Sequence, residues 1–205
     1  STRDWSSDVC SSDLLETHRP PAFVLENVKG LVSHRSGKTL ARILEVLRDD
    51  LGYHVPDPEI LNARNFGVPQ NRERIFIVGF KTAAASKRFR YPSPLPDSHR
   101  TVIEDIIEED PVPARYYLST QYLKTLREHR ARHEAAGNGF GFEIVDRQAV
   151  ANAIVVGGMG RERNLVIDDR LEDFTPSTNI KGAINREGIR KMTPREWARL
   201  QGFDT

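Results

Sequence analysis

Cysteine is nearly absent from this chain of 205 residues, and the one thiol, Cys10, excludes both an internal disulfide framework and a zinc site built on several thiolates. Such usage fits a reducing compartment. No apolar run approaches the roughly 20 residues that cross a bilayer, and no signal peptide is visible, so a cytoplasmic location is the expectation. An excess of one charge is missing too: 30 basic against 29 acidic residues leave a formal net charge of +1. A bulk polycation is thereby excluded, and any hold on nucleic acid must come from local clusters. Two glycine patterns are incomplete. Ser36-Gly37-Lys38-Thr39 would end a phosphate loop only with glycine at position 32, which is Val32. Gly158-Met159-Gly160 lacks the third glycine of a dinucleotide-binding turn, because Arg163 holds that place. No repeat of solenoid period is present.

With 38% hydrophobic residues the chain can bury one ordinary core and a smaller appended unit. Residues 1–13 contain Ser-Ser-Asp twice and little to bury, and they read as a disordered leader foreign to the rest. From Leu14 the pattern is that of an α/β protein. Ala22-Phe23-Val24-Leu25, closed by Glu26-Asn27-Val28, reads as a buried parallel strand with a polar end. Leu40, Ile43, Leu44, Leu47 and Leu51 follow helical spacing, with Ser36 as N-cap and Gly52 as the stop. Residues 59–63 and 75–80 are strand-like and lie too close for a parallel crossover, which predicts an antiparallel pair. Pro92, Pro94 and Pro96 mark a boundary. Beyond it comes a mixed unit with a helix over 119–136 and short strands at 153–156 and 165–167. Thr193-Pro194-Arg195-Glu196 is a capping box that opens a last helix, followed by Trp197, Leu200 and a stop at Gly202.

Three segments carry candidate chemistry. Glu26 and Asn27 end a strand where open α/β sheets place ligands, although a carboxylate there is more often simply solvated. Arg72 and Arg74 are two residues apart in Asn62-Ala63-Arg64-Asn65-Phe66-Gly67-Val68-Pro69-Gln70-Asn71-Arg72-Glu73-Arg74. On one strand they would share a face and converge on one phosphate or base. The third segment, from Arg190 to Phe203, taken alone is an ordinary amphipathic helix.

Together, in this order and spacing, Phe-Val-Leu-Glu-Asn-Val, Gly-Val-Pro-Gln-Asn-Arg-Glu-Arg and Arg-Lys-Met-Thr-Pro-Arg-Glu-Trp-Ala-Arg-Leu-Gln-Gly-Phe closely resemble the signatures of cytosine-5 DNA methyltransferases. The resemblance implies a partial Rossmann-like methyltransferase sheet, its C-terminal half, plus a small mixed target-recognition domain. The divisions would be residues 14–92 for the catalytic half, 93–185 for target recognition and 186–205 for a helix returning to the catalytic domain. It implies S-adenosylmethionine as methyl donor, double-stranded DNA as partner, no metal, a monomeric intact enzyme and a bacterial, nucleoid-associated role in restriction-modification. A cysteine thiolate attacks C6 of a flipped cytosine in that family, making C5 rich enough in electrons to take the methyl group. Glu26 would hold N3 and the exocyclic amine, Asn27 would support the local geometry, Arg74 would contact the base carbonyl or its phosphate, and Arg72 would assist by positioning.

The sequence also departs from the family. The nucleophile belongs to a Pro-Cys segment upstream of the Glu-Asn-Val strand, whereas Cys10 follows Val9 and is not expected to be catalytic. No donor-binding residues are expected in this chain, which by itself should neither bind S-adenosylmethionine nor methylate DNA. Arg161 and Arg163, on a turn between two short strands, are candidates for reading guanine edges, and Thr178 for a second recognition loop by family position. Arg127, Arg130 and Arg132 form a basic helical face that reads first as solvated. Removing the first strands of a parallel sheet would expose an apolar edge prone to aggregation. Two other classes remain: a non-catalytic DNA-binding module, and an RNA cytosine methyltransferase, which the long insert disfavours.

Overall fold

The structure, a computed structural model, describes residues 7–139, 141–155, 160–177 and 182–204, without the side chains of residues 7–11, 160 and 161. In chain order its regular elements are α1 (Ser7–His18), β1 (Ala22–Val28), α2 (Lys38–Glu45), β2 (Glu59–Asn62), β3 (Gln70–Asn71), β4 (Glu73–Phe80), α3 (Ala83–Arg88), α4 (Thr120–Ala135), β5 (Ala151–Asn152), β6 (Val166–Ile167), β7 (Ile189–Arg190) and α5 (Pro194–Arg199). They fall into two compact units. The first holds residues 1–62 and 73–94, the second residues 63–72 and 95–205.

In the first unit β4 is the central strand of a three-stranded sheet ordered β1-β4-β2, antiparallel to both neighbours. The antiparallel pairing of residues 59–62 with 73–76 follows the sequence reading. The parallel setting expected for β1 does not: its described partner is antiparallel, and the strand alternates rather than being buried on both faces. Phe23 points inward, with Leu25 half-buried, while Val24 and Val28 are 64% and 51% exposed. A run of apolar residues does not say whether both of its faces are covered. Under the sheet, Phe23 meets Tyr53 edge to face with centroids 5.0 Å apart, and Leu47, Leu51, Val55 and Ile77 close the core. The helical stripe from Leu40 to Leu51 supplies one wall of it, as its spacing requires.

Two local corrections concern that helix. Gly37, in the left-handed region, is the N-cap in place of Ser36, which itself has a φ of 57°. Past Glu45 the helix widens into a π-turn over Val46–Asp50 before Gly52 ends it at a φ of 69°. A further correction concerns the leader. Helix α1 starts at Ser7, so residues 7–13 are helical; Leu15 anchors the helix in the core, and Arg19 donates to the Leu51 carbonyl at 2.8 Å.

In the second unit β3 pairs in parallel with β5, and β6 pairs antiparallel with β7. Ser119 caps α4 by accepting from the Tyr122 amide, so the expected helix stands. The short strands lie at 151–152 and 166–167, the first displaced from its expected place at 153–156. In the last segment Met192, Trp197 and Leu200 pack with Ile103, Ile106, Val145 and Val166, within the unit that holds residues 95–205. Its capping box is present as read, Thr193 accepting from the Glu196 amide and Glu196 from the Thr193 amide.

Candidate functional site

The antiparallel register sets Val28 directly opposite Arg74 and Glu26 opposite Phe76, which makes Glu26 and Arg74 diagonal neighbours on one face. Their side chains meet there. Arg74 Nε lies 2.7 Å from Glu26 Oε1, with the arginine 19% and the glutamate 45% exposed. Arg74 Nη1 donates to its neighbour's carbonyl, that of Glu73, at 2.8 Å. The Glu73 carboxylate does not compete for Arg74, because Lys29 Nζ holds both of its oxygens at 2.9–3.0 Å. Among the described residues Glu26 Oε2 and Arg74 Nη2 take no hydrogen-bond partner, so the pair presents an acceptor and a donor side by side on an open strand end.

The other predicted residues fall out differently. Asn27 lies on the opposite face of β1, and its Oδ1 accepts from the Val28 amide at 2.8 Å, which fixes the strand's end rather than reaching the Glu26 face. Arg72 occupies the one-residue break between β3 and β4 and belongs to the second unit, so the strand alternation that would align it with Arg74 does not apply. Its backbone is fixed: the Ala63 amide donates to the Arg72 carbonyl at 3.1 Å and the Arg72 amide to the Gln70 carbonyl at 3.0 Å. Cys10 lies within α1, and its side chain is outside the described residues, as are the Arg161 side chain and the whole of Thr178. Arg163 is exposed on a 3-10 turn, Gly160–Asn164, between the buried Glu162 and Asn164. The basic face of α4 is spent internally. Arg127 forks onto Glu187, Arg130 pairs with Glu134, and Arg132 donates to the Glu128 carbonyl.

The sequence reading missed a buried ionic cluster in the second unit. Arg190 is fully buried and donates to Asp168 at 2.9 Å and to both oxygens of Glu196 at 2.7 Å. Burial alone raises the Asp168 pKa, but hydrogen bonds from Arg170 and the charge and hydrogen bond of Arg190 outweigh it and hold the carboxyl at about 2. Nearby, burial and the Asp168 charge push the Tyr117 hydroxyl up to about 12. The capping-box glutamate was legible as a cap, but nothing in the local sequence marks Asp168 as its partner through Arg190.

No cluster of three or more His, Cys, Asp or Glu able to hold a metal occurs among the described residues, and no described helix is long and apolar enough to cross a membrane. A nucleoside donor needs a glycine turn that lets it approach the backbone closely. After β1 the chain instead runs through short 3-10 turns in which Arg35 and Ser36 take left-handed φ values. In the second unit a cleft of about 360 Å³ is lined by Glu108, Asp110, Arg115 and Arg195 with three prolines. Neither that loop nor that cleft offers such a glycine turn.

The described residues thus form a mixed α/β fold in which an acid and an arginine are joined at a strand end. Solved structures of that fold overlay on it: a DNMT2 mutant from Spodoptera frugiperda, with a TM-score of 0.62 at 16% identity over 96% of this chain and 60% of that one, and the Entamoeba histolytica methyltransferase EhMeth, with 0.59 at 14% over 90% and 51%. The family model for C-5 cytosine-specific DNA methylase matches residues 10–205, and the chain belongs to that family. It is 65% identical over 192 residues to the type II methyltransferase M.HpaII of Haemophilus parainfluenzae, covering 94% of this chain and 53% of that protein. It is 34% identical over 207 residues to a DNA-cytosine methyltransferase of Escherichia coli K12, covering 93% and 43%. The chain thus spans about half the length of the curated relatives it matches.

Proposed function

We propose that these residues carry the base-holding and DNA-reading part of a DNA (cytosine-5-)-methyltransferase of a restriction-modification system, which moves a methyl group from S-adenosylmethionine to C5 of a flipped cytosine. The donor supplies the methyl group; the residues in hand hold and orient the base. One observation carries the reading: in a chain of this family, Glu26 keeps one oxygen on Arg74 and leaves the other open.

The open oxygen can accept from the exocyclic amine of cytosine, and from N3 once N3 is protonated. Addition of a thiolate at C6 pushes negative charge toward N3 and the carbonyl, so both contacts strengthen as the reaction proceeds. Arg74 orients Glu26 through Nε and has Nη2 left for the base carbonyl or its phosphate. Asn27 holds the strand end, and Arg72 positions. The thiolate is not Cys10, and we infer that the 205 residues by themselves neither bind the donor nor methylate DNA. Arg163, and Arg161 on the same turn, meet double-stranded DNA, with Thr178 on a second recognition loop.

Tritium transfer from labelled donor to duplex DNA tests this in two arms. The complete enzyme carrying these residues is expected to label DNA, and Glu26→Gln to lower the rate about 100-fold or more, the loss typical when a hydrogen-bond partner of the transition state is removed. Labelling by the 205 residues alone, or an unchanged rate in Glu26→Gln, would overturn the assignment.

A further inference from the structure

In the second unit the segment 151–154 is gripped from two sides. On one side β5 pairs with β3, matching Gln70 to Ala151 and Asn71 to Asn152, and the Ala151 amide donates to the Pro69 carbonyl at 2.8 Å. The Gln70 side chain, 2% exposed, reinforces the join: Oε1 accepts from the Ile154 amide at 3.2 Å, and Nε2 donates to the Leu200 carbonyl at 2.9 Å. On the other side Asn164, fully buried, pairs like a backbone group with Asn152. Its Oδ1 accepts from the Asn152 amide at 2.8 Å, and its Nδ2 donates to the Asn152 carbonyl at 3.2 Å. Asn152 returns a bond from its own Nδ2 to the Arg163 carbonyl at 3.0 Å and another to Glu143 at 2.9 Å. Glu162, between the two turn arginines, is tied down by the Tyr122 hydroxyl at 3.0 Å and by Lys191 at 3.2 Å.

Arg163 is therefore joined to Arg72 by one hydrogen bond and one strand pairing, braced by the polar contacts of the buried Asn164 and Gln70: the Arg163 carbonyl accepts from Asn152, Asn152 is the ladder partner of Asn71, and Asn71 precedes Arg72 in the chain. Such contacts are stiff, because each donor or acceptor displaced within a protein interior is left unpaired. We propose that Asn164 and Gln70 are positioning residues that make the setting of Arg72 depend on how the Arg163 turn seats on DNA, so that a correct target sequence and a correctly placed base-handling arginine are acquired together. The inference rests on the proposed roles in which Arg163 meets DNA and Arg72 serves the flipped base.

The test is a double-mutant cycle in the complete methyltransferase, read as single-turnover methyl transfer and DNA Kd on a cognate duplex and on one differing by a single base pair. Arg72→Lys and Arg163→Ala are expected to be non-additive in the wild-type background and additive once Asn164→Leu breaks the bridge. Asn164→Leu alone should lower the cognate rate about 10- to 100-fold, the range for a misplaced catalytic group. Its DNA Kd should move less than about 3-fold, and the ratio between the two duplexes should shrink. A merely structural role would lower Tm and raise Kd on both duplexes without touching the non-additivity. Should Asn164→Leu not fold, Asn164→Asp keeps the acceptor for the Asn152 amide, and Gln70→Met breaks the other end. Arginine effects that stay non-additive after the bridge is cut overturn the proposal. If Arg163→Ala changes neither Kd nor discrimination in the wild-type background, the DNA-reading premise fails and the bridge falls with it.

Discussion

Replacing Arg190 by methionine should be among the most damaging single changes in the second unit, and the contacts around it set the size of the effect. The guanidinium is fully buried, as is Glu196, and Asp168 is 1% exposed. Four of its donor contacts are made: one to Asp168, two to Glu196 and one to the Lys191 carbonyl at 3.1 Å. Methionine fills much of the same space but leaves two carboxylates without their shared cation. Breaking a buried pair in this way costs about 3–5 kcal/mol. The lower end applies here, since Asp168 keeps Arg170 at 2.8 Å, and Glu196 keeps the amides of Glu108 and Thr193 at 3.0 and 2.8 Å. Against a typical stability of about 5–15 kcal/mol, a loss of about 3 kcal/mol is a large fraction. Urea unfolding followed by the fluorescence of Trp197, which packs on the Ile103 cluster, should show the midpoint falling at constant slope. Arg190→Lys, with no fork to span Asp168 and Glu196, should recover little of the loss. An Arg190→Met or Arg190→Lys chain within about 1 kcal/mol of the original would refute the reasoning.

Two further outcomes come from the same structure. The Asp168 carboxyl lies at about 2 in the folded chain, below its ordinary value of 3.8, so its stabilisation is complete above about pH 4 and is lost as pH falls toward 2. The amount is on the order of 2 kcal/mol, and Asp168→Asn should flatten that acid limb in a pH series of unfolding curves. In the first unit, Gly79→Ala would place a Cβ inside the Phe23 ring, and the ring cannot yield without leaving Tyr53; a loss of about 1–3 kcal/mol by thermal melting is expected.

Where the sequence could be read correctly, the signal was local. Ser119 before α4, the Thr193–Glu196 box and the short 59–80 pairing are each fixed by residues within a turn or a hairpin of one another. What escaped depends on partners far along the chain. The apolar letters of β1 carry no sign that Val24 and Val28 face outward, because exposure depends on what lies over the strand and not on the strand. Arg190 and Asp168 are 22 residues apart and Gln70 and Leu200 are 130, distances over which no periodicity operates. The break at Arg72 was hidden for a related reason: two arginines at i and i+2 share a face only while the strand continues through both.

Two glutamates of this chain differ in how fully their oxygens are satisfied, and the proposed base-holding role makes that difference testable. Glu196 has each oxygen engaged twice, by Arg190 and by a backbone amide, so no lone pair is left for a visitor. Among the described residues Glu26 has one oxygen engaged, by a residue that itself keeps a donor free, and it stands at 45% exposure. The same substitution, glutamate to glutamine, should therefore separate two kinds of loss. At position 196 it removes a charge that a buried cation requires and should cost stability, whereas at 26 an exposed pair is worth only about 0–1 kcal/mol, so the folded chain should scarcely notice. On the proposed base-holding role, the methyl-transfer rate of the complete enzyme should show the reverse sensitivity at 26, because glutamine would offer an amide in place of the carboxylate that the role requires. A Glu26→Gln chain that loses stability as heavily as Glu196→Gln would place residue 26 in the framework and take the base-holding role away from it.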